Sequence, residues 1–354
     1  MATIHDVAKR AGVSIATVSG VMNGSRYVSP ALKQRVLEAV EELDFTVNQV
    51  ARSLQRRSTR MIGMLVPDIS DPFHANVVRV VEDSLKTAGY TLLLGNLRDR
   101  PEEQTRYLEI LRSQQVDGVL IYMVPGFEDE IRKLVERRRA IVLMGREPAT
   151  FQADLVGIDH VTGSRMAVEH LISKGHRRIG IIPGPVGQPF TRSRIRGWGQ
   201  ALQAAGLAAD ERHINYGDYT IAGGQAAVTP LLDLPEPPTA ILAGNFHEVI
   251  GVLQVLRQRK IARPQRLEVM SSHDSEVYDA FDPPLSSVAQ PVHELGAKAT
   301  ELLLRRIRQP GRPPERVLLR PRLHVRPTAH AQPGTETSTG RRRRGAGVPA
   351  QAIR

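Results

Sequence analysis

From residue 61 to about residue 308 the chain alternates short apolar runs with amphipathic stretches. Strand-sized runs stand at 62–66, 90–94, 119–122, 140–144, 179–182, 239–243 and 267–271. Helix-sized segments at 77–88, 101–115, 127–138, 161–174, 191–205, 220–233, 246–259 and 292–308 separate them. A strand that is followed by a helix before the next strand makes a βαβ unit, and such units build parallel sheets covered on both faces. The span suits either one barrel or two doubly wound lobes, and periodicity alone does not choose between them.

The first 46 residues have a different texture. Thr3 and Asp6 form a capping-box pattern, and the helix they open runs through Val7, Ala8 and Ala11 to a stop at Gly12. Ser14 is a second N-cap candidate, before Ile15 to Met22, and Asn23-Gly24-Ser25 ends that segment. Ser29-Pro30 opens a third helix with the stripe Leu32, Val36, Leu37, Val40, Leu43. Three short helices with a tight glycine turn between the first two fit a helix-turn-helix: a small residue between the helices, a glycine in the turn, apolar residues locking the second helix. Ala8, Gly12, Ile4, Val7, Val18 and Val21 supply these. The second helix then presents Ser14, Thr17, Ser19 and Asn23, short polar side chains suited to phosphates and base edges in a major groove.

Charge supports that reading. Residues 1–60 carry nine Lys and Arg against five Asp and Glu, and residues 305–354 carry thirteen Arg against two Glu. The remaining span is mildly acidic, although the whole chain is at +11. A basic head and a basic tail on an acidic middle point to a polyanion partner. Asn48 to Leu54 is a short helical segment before the polar run 55–60, either a plain linker or a hinge that folds on DNA. Residues 328–354, rich in Pro, Gly, Ser, Thr and Arg, read as a disordered basic tail.

The absence of Cys removes disulfides, thiol nucleophiles and thiolate metal sites. No run approaches the ~18 apolar residues of a membrane helix, and no apolar signal region opens the chain, so a cytoplasmic location is expected. Gly197-Trp198-Gly199 begins like a dinucleotide fingerprint, but Leu202 stands where the third small residue belongs, inside a helical segment. No nucleophile elbow, phosphate loop or metal-spaced histidine set is present, so no enzyme, cofactor, catalytic residue or metal is expected.

The motifs Thr3-Ile4-His5-Asp6-Val7-Ala8, Ala11-Gly12-Val13-Ser14, Thr17-Val18-Ser19 and Val50-Ala51-Arg52-Ser53-Leu54 resemble the lactose/galactose repressor (LacI/GalR) family of bacterial transcription regulators, with the head closest to its purine repressor branch. Gly89-Tyr90, Val116-Asp117-Gly118, Gly175-His176-Arg177-Arg178-Ile179-Gly180, Arg194 with Gly197-Trp198, and Gln290-Pro291 extend the resemblance in order over about residues 2–327. It implies a helix-turn-helix head (1–46), a hinge helix and linker (47–60) and a two-lobed core (61–327) like periplasmic binding proteins, ahead of the tail (328–354). The core would be two doubly wound parallel-sheet lobes: about 61–160 plus 291–320, and about 161–289 plus a last strand near 321–327. Its ligand would lie between them.

The same resemblance implies roles for residues. Ser14 would contact DNA, Thr17 and Asn23 would hold phosphates, and Ser19 would sit in the major groove. Ile15, Ala16 and Gly20 would stand at operator-choosing positions, where Ala16 and Gly20 have almost no reach. Leu54 would wedge into the minor groove, supported by Arg26, Ala51 and Arg52, and Asn48 would also contact DNA. Phe73, His74, Arg146, Phe190, Arg194, Tyr219, Phe246 and Asp274 would line the effector pocket. On its own chemistry, Arg194 fits either a charged fork between lobes or helix surface charge beside Arg192 and Arg196; His74 fits either a pocket or a helix cap. Two departures stand out. Phe246 follows Asn245 where sugar-responsive relatives carry an acid, and Gln188 and Phe190 replace residues that hold a purine. An unusually aromatic pocket of Phe73, Phe190, Tyr219 and Phe246 is the resulting expectation.

Functionally, the resemblance implies a sequence-specific DNA-binding transcription regulator controlled by a small molecule. Its partners would be double-stranded DNA with a pseudo-palindromic operator, the effector, and a second copy in a homodimer. A solute-binding protein without gene control is the alternative class.

Overall fold

The computed structural model describes residues 2–23, 26–45, 58–98, 100–123 and 128–327. The hinge positions Asn48, Ala51, Arg52 and Leu54 and the tail lie outside the described residues.

The head is three helices: α1 (Ile4–Ala11), α2 (Ile15–Asn23) and α3 (Pro30–Glu42). Thr3 caps α1 as its spacing predicts: its hydroxyl oxygen accepts from the Asp6 amide at 3.4 Å, and its own amide donates back to Asp6 Oδ2 at 2.8 Å. Gly12 ends α1 in the left-handed region at φ 61°, which lets the chain turn straight into α2. A side chain there would also meet Arg35, which donates to the Ala11 carbonyl at 2.6 Å. Val7, Ala8, Ala11, Val18, Val36 and Ala39 are buried where the three helices meet.

The first lobe holds β1 (Met61–Val66), β2 (Thr91–Asn96), β3 (Gly118–Tyr122), β4 (Ala140–Met144), β5 (Asp154–Ile158) and β10 (Arg316–Leu319), in the order β10-β5-β4-β3-β1-β2, all parallel. Helices α4 (Pro72–Thr87) and α11 (Val292–Arg308) cover one face; α5 (Pro101–Ser113) and α6 (Glu128–Glu136) cover the other. The second lobe orders its strands β11-β9-β8-β7-β6. These are β6 (Ile179–Ile182), β7 (Ala240–Ala243), β8 (Glu268–Ser271), β9 (Ser287–Ala289) and β11 (Arg322–His324), parallel except for β11 against β9. Its faces are covered by α7 (His160–Ser173) with α8 (Pro189–Ala204), and by α9 (Ile221–Leu232) with α10 (Phe246–Gln258). Helices on both faces of each sheet make both lobes doubly wound, and the chain passes between them after β5, after β9 and after β10.

The structure differs from the sequence reading at two places that shape the site. Helix α4 begins at Pro72, five residues before the expected 77, because Asp71 caps it by accepting from the Phe73 amide at 2.9 Å. Strand β5 has no clear apolar run, since its first residue is Asp154. Arg306 neutralises that buried carboxylate through Nε at 2.8 Å and Nη2 at 3.0 Å. Gly197-Trp198 has a packing role. A Cβ on Gly197 would lie 2.2 Å from the Val161 carbonyl, so glycine permits the close α7–α8 contact. Trp198 is buried below it, donating to the Ile179 carbonyl at 2.9 Å.

Candidate functional site

Two places gather functional chemistry. On the head, Ser14 caps α2, its hydroxyl accepting from the Thr17 amide at 3.1 Å and sharing a hydrogen bond with the Thr17 hydroxyl at 2.9 Å. Ser14, Ile15 and Ala16 are exposed, while Thr17 and Ser19 are half-buried. Arg26 Nη2 donates to Thr17 Oγ1 at 2.8 Å. Gly20 is buried, and a Cβ there would stand 2.8 Å from Arg26 Nε. The glycine that looked short of reach in the sequence thus leaves room for a guanidinium lying across it. Arg26 puts a cation and a row of donors beside Ser14 and Thr17.

The second place is a cavity of about 360 Å³ between the lobes. The carboxyl ends of β1, β3 and β4 supply Asp68, Tyr122, Met144 and Arg146. Those of the second sheet supply Pro185, Asn245 and His273, and the crossovers add His160 and Gln290. Crevices outside strand carboxyl ends are where open α/β sheets bind ligands. Of the eight expected pocket residues, Phe73, His74, Arg146, Phe190, Arg194 and Tyr219 line it.

Phe246 and Asp274 do not, and both expectations are corrected. Phe246 begins α10 and turns into the second lobe's core, stacked on Tyr278 with ring centroids 5.9 Å apart. Asn245, one residue earlier, takes the cavity side. Asp274 accepts from Arg326 Nη1 at 2.8 Å and from the Ser287 hydroxyl at 2.6 Å, so it anchors the chain after β11. Its neighbour His273 faces the cavity. Successive side chains in extended backbone point to opposite sides, so a one-residue error in register exchanges a cavity residue for a structural one.

Arg194 is the centre of the site. It is 3% exposed and donates through Nη1 to the Pro183 carbonyl at 2.9 Å and the Tyr219 hydroxyl at 3.0 Å, and through Nη2 to His273 Nε2 at 3.1 Å. Its guanidinium carbon lies 5.7 Å from the Phe190 ring centre and 5.8 Å from that of Tyr219. Burial lifts the Tyr219 hydroxyl to about 12, against the pull of Arg194. Burial also holds His273 well below its ordinary range, and takes His160 down to about 3, with Arg194 adding to both. His74, seated with Nδ1 3.1 Å from the Asp68 carbonyl oxygen, is lowered by burial too. The histidines around this cation are neutral at neutral pH.

Asn245 joins the lobes. Its Oδ1 accepts from the Glu248 amide at 2.9 Å, capping α10, while Nδ2 donates across the cleft to Asp71 Oδ2 at 3.2 Å. Behind it, the fully buried Glu248 accepts from the amides of Tyr219 at 3.0 Å and Gly244 at 3.1 Å, and burial raises its carboxyl to about 7. Sequence reasoning passed over Asp71, Tyr122, His160, Glu248 and His273. The Asp71-Pro72 pair was a legible helix start; the other four carry no local signature.

A helix-turn-helix head on one chain with a two-lobed ligand cleft defines a class: a DNA-binding regulator whose core can take up a small molecule. Comparison with known proteins sharpens this. Residues 3–48 match the pattern of bacterial regulatory proteins of the lacI family, and residues 168–329 match the periplasmic binding protein-like domain. The ribose operon repressor of Escherichia coli (strain K12) is 36% identical over 331 residues, 93% of this chain and 100% of that protein. The HTH-type transcriptional repressor PurR of Vibrio atlanticus is 36% identical over 310 residues, 87% of this chain and 92% of that one. Among solved structures, the transcriptional regulator CelR–cellobiose complex is 33% identical with a TM-score of 0.70, covering 92% of this chain and 99% of that one. A lac repressor dimer bound to operator shares the fold at a TM-score of 0.80 and 24% identity, covering 92% and 98%. The chain belongs to the lacI family of bacterial regulatory proteins, and is a DNA-binding transcription regulator.

Proposed function

We propose that the protein is a cytoplasmic homodimeric repressor that reads a pseudo-palindromic operator and is controlled by a small molecule in the interlobe cleft. The observation that carries this is the pairing of a partly exposed, donor-bearing α2 face with a cleft lined by buried polar residues. One head offers too few contacts for specific affinity, and a two-fold dimer doubles them on matched half-sites. The head is assigned to 1–46, the hinge and linker to 47–60, the core to 61–327 and the tail to 328–354. Ser14, Thr17, Asn23 and Arg26 position the head on phosphates; Ile15, Ala16, Ser19 and Gly20 with its overlying Arg26 meet the bases. Asn48, Ala51, Arg52 and Leu54 form the hinge contact in the minor groove.

The test is a gel shift on an operator selected from random DNA, with light scattering for stoichiometry. Two chains per operator are expected. A monomer on the site would overturn the dimer. Leu54→Ala should weaken operator binding at least about tenfold more than random-DNA binding, since a wedge acts only where a step can be unstacked. Equal losses on both DNAs would remove the hinge role.

A further inference from the structure

We propose that the outer end of the first lobe is a second DNA-binding surface, where arginines grip the phosphate backbone of the duplex that the head holds. The sheet register brings these residues together. All six strands of the lobe are parallel, with Met61 paired to Thr91, Ile62 to Gly118, and Gly118 to Ala140. The strand N-termini therefore share one end, and the cleft lies at the other, outside the strand carboxyl ends. Helices α4, α5 and α6 lead back into β2, β3 and β4, so they too finish at the outer end. Helix α11 does the same: Ile307, near its close, lies 3.2 Å from where a Cβ on Gly118 would stand.

Six exposed arginines stand on this end: Arg60 just before β1, Arg112 in the last turn of α5, Arg137, Arg138 and Arg139 between α6 and β4, and Arg308 at the close of α11. None of the six has an ion-pair partner among the described residues. The acids of this end are fewer and mostly engaged. Arg306 holds Asp154, and Glu315 accepts from Arg305 at 3.1 Å and from Arg312 at 3.2 Å. Asp117 is spent on the chain leading into β1. Within one turn of the helix ends, Asp83, Glu109 and Glu136 are left, and Lys86 and Lys133 offset two of these. Basic residues also complement helix C-termini, each worth about half a negative charge, so four helices account for about two of the arginines. The rest form an excess of positive charge, and a guanidinium is the side chain best matched to phosphate oxygens.

DNA is the polyanion that the chain itself delivers to this place. The segment from the head enters the core in the middle of the patch, where Asp117 accepts from the Thr59 amide at 2.8 Å, from the Arg60 amide at 3.2 Å and from the Ser58 hydroxyl. Between Phe45 of the head and Ser58, the chain reaches at most about 45 Å even when fully extended. A duplex seated on the head is thus presented to the arginines at an effective concentration of order millimolar. Sequence-blind contacts to DNA have dissociation constants of about 1 μM to 0.1 mM, so a tethered patch of ordinary quality is occupied. Its contacts add affinity without reading bases, because they end on phosphates.

The experiment measures the affinity of the full chain for a selected operator and for random DNA across a salt series, with Arg137→Gln, Arg138→Gln and Arg139→Gln combined in one variant. The slope of log affinity against log salt should flatten by about 1 to 2.7 on both DNAs, since each lost phosphate contact removes about 0.9. At about 0.1 M salt both affinities should fall about tenfold, with the ratio of operator to random DNA kept. The control removes the same charge from the corresponding end of the second lobe, through Arg177→Gln, Lys260→Gln and Arg266→Gln, three exposed cations. It should leave the slope unchanged. Arg112→Gln with Arg308→Gln touches two other elements of the patch, and should flatten the slope by up to about 1.8. This pair decides the matter should the triple variant fail to melt as a folded protein. Slopes that superimpose on the unaltered chain would overturn the proposal. Equal flattening by the control would overturn it too, because net charge and no local contact would then be at work. So would a loss confined to the operator, which sequence-blind contacts cannot produce.

Discussion

The head and the core use buried space in opposite ways. In the head the interior is six small or medium apolar residues, and everything functional lies outside it, on the α2 face with Arg26. In the core each sheet is sandwiched by apolar layers, and function sits inside, where Arg194, His273 and Tyr122 are nearly dry. A surface that meets a polyanion can leave its charges in water until the partner arrives. A cleft that selects a small molecule must desolvate its polar groups in advance and hold them unmet.

The sharpest way to break this comparison is to damage one body and ask whether the other notices. Val18 is fully buried in the head, and Val18→Asp places an unpaired charge there, costing more than about 3 kcal/mol in a very small core. DNA binding should fall by about a hundredfold or more, while calorimetric ligand binding stays unchanged. A parallel loss of ligand binding would show that the bodies are not independent.

Acid should separate them next. The depressed histidines His74, His160 and His273 resist protonation when folded but take it up near pH 6.5 when unfolded. Their stabilisation is complete above pH 6.5 and is lost as pH falls. Glu248 runs the other way: raised to about 7, it holds a proton in the folded state that the unfolded chain releases above about 4.5. The depressed histidines outnumber the one raised carboxyl, so unfolding takes up protons on balance as pH falls below about 6.5, and the core should lose stability there. Melting curves at pH 7, 6 and 5 should show the core transition falling steeply; a flat core transition would mean these rings are not buried neutral.

A smaller effect tests the wall of the cleft. Gly184 has φ 105°, and a Cβ there would stand 2.3 Å from the Tyr219 hydroxyl that Arg194 grips. Gly184→Ala should cost about 1–3 kcal/mol and weaken ligand binding about tenfold, with DNA affinity of the ligand-free protein unaltered. The smallest effect belongs to Arg341–Arg344 in the tail, which lie outside the described residues. If they act as a sequence-blind arm, deleting 331–354 should lower affinity for any DNA. The slope of log affinity against log salt should flatten by less than about 0.9 per arginine. Superimposable slopes for both lengths would leave an inert tail.

The same contrast explains what could be read in advance. The head's signals are local: Thr3 with Asp6, Gly12, and Ser14 with Thr17 lie within one turn of their partners. The alternation of strands and helices gave the fold class, and the resemblance to relatives selected two lobes over a barrel. Strand β5 escaped notice because its first residue is an acid whose partner, Arg306, lies 152 residues away. The cleft was legible at Arg194, Phe190 and Tyr219 but not at His273, because nothing in a linear reading tells which of two adjacent polar residues after β8 faces in. Phe246 failed for the same reason beside Asn245.

The bond from Asn245 to Asp71 has a mechanical consequence. Each residue spends its Oδ1 on a helix of its own lobe, Asp71 on the start of α4 and Asn245 on the start of α10. The Nδ2–Oδ2 hydrogen bond crosses the cleft, beside the Phe73–His273 ring contact with centroids 4.9 Å apart. Parting the lobes therefore breaks this polar catch and one ring contact but frays no helix, so the two bodies can swing apart as stiff plates. A charged hydrogen bond of this kind contributes about 1.5–3 kcal/mol, which is roughly a 10- to 150-fold bias on the ratio of shut to open forms. A ligand needs only a comparable difference in affinity between the two forms to tip that balance. The catch thus sets a low threshold for the switch while leaving the fold on either side untouched.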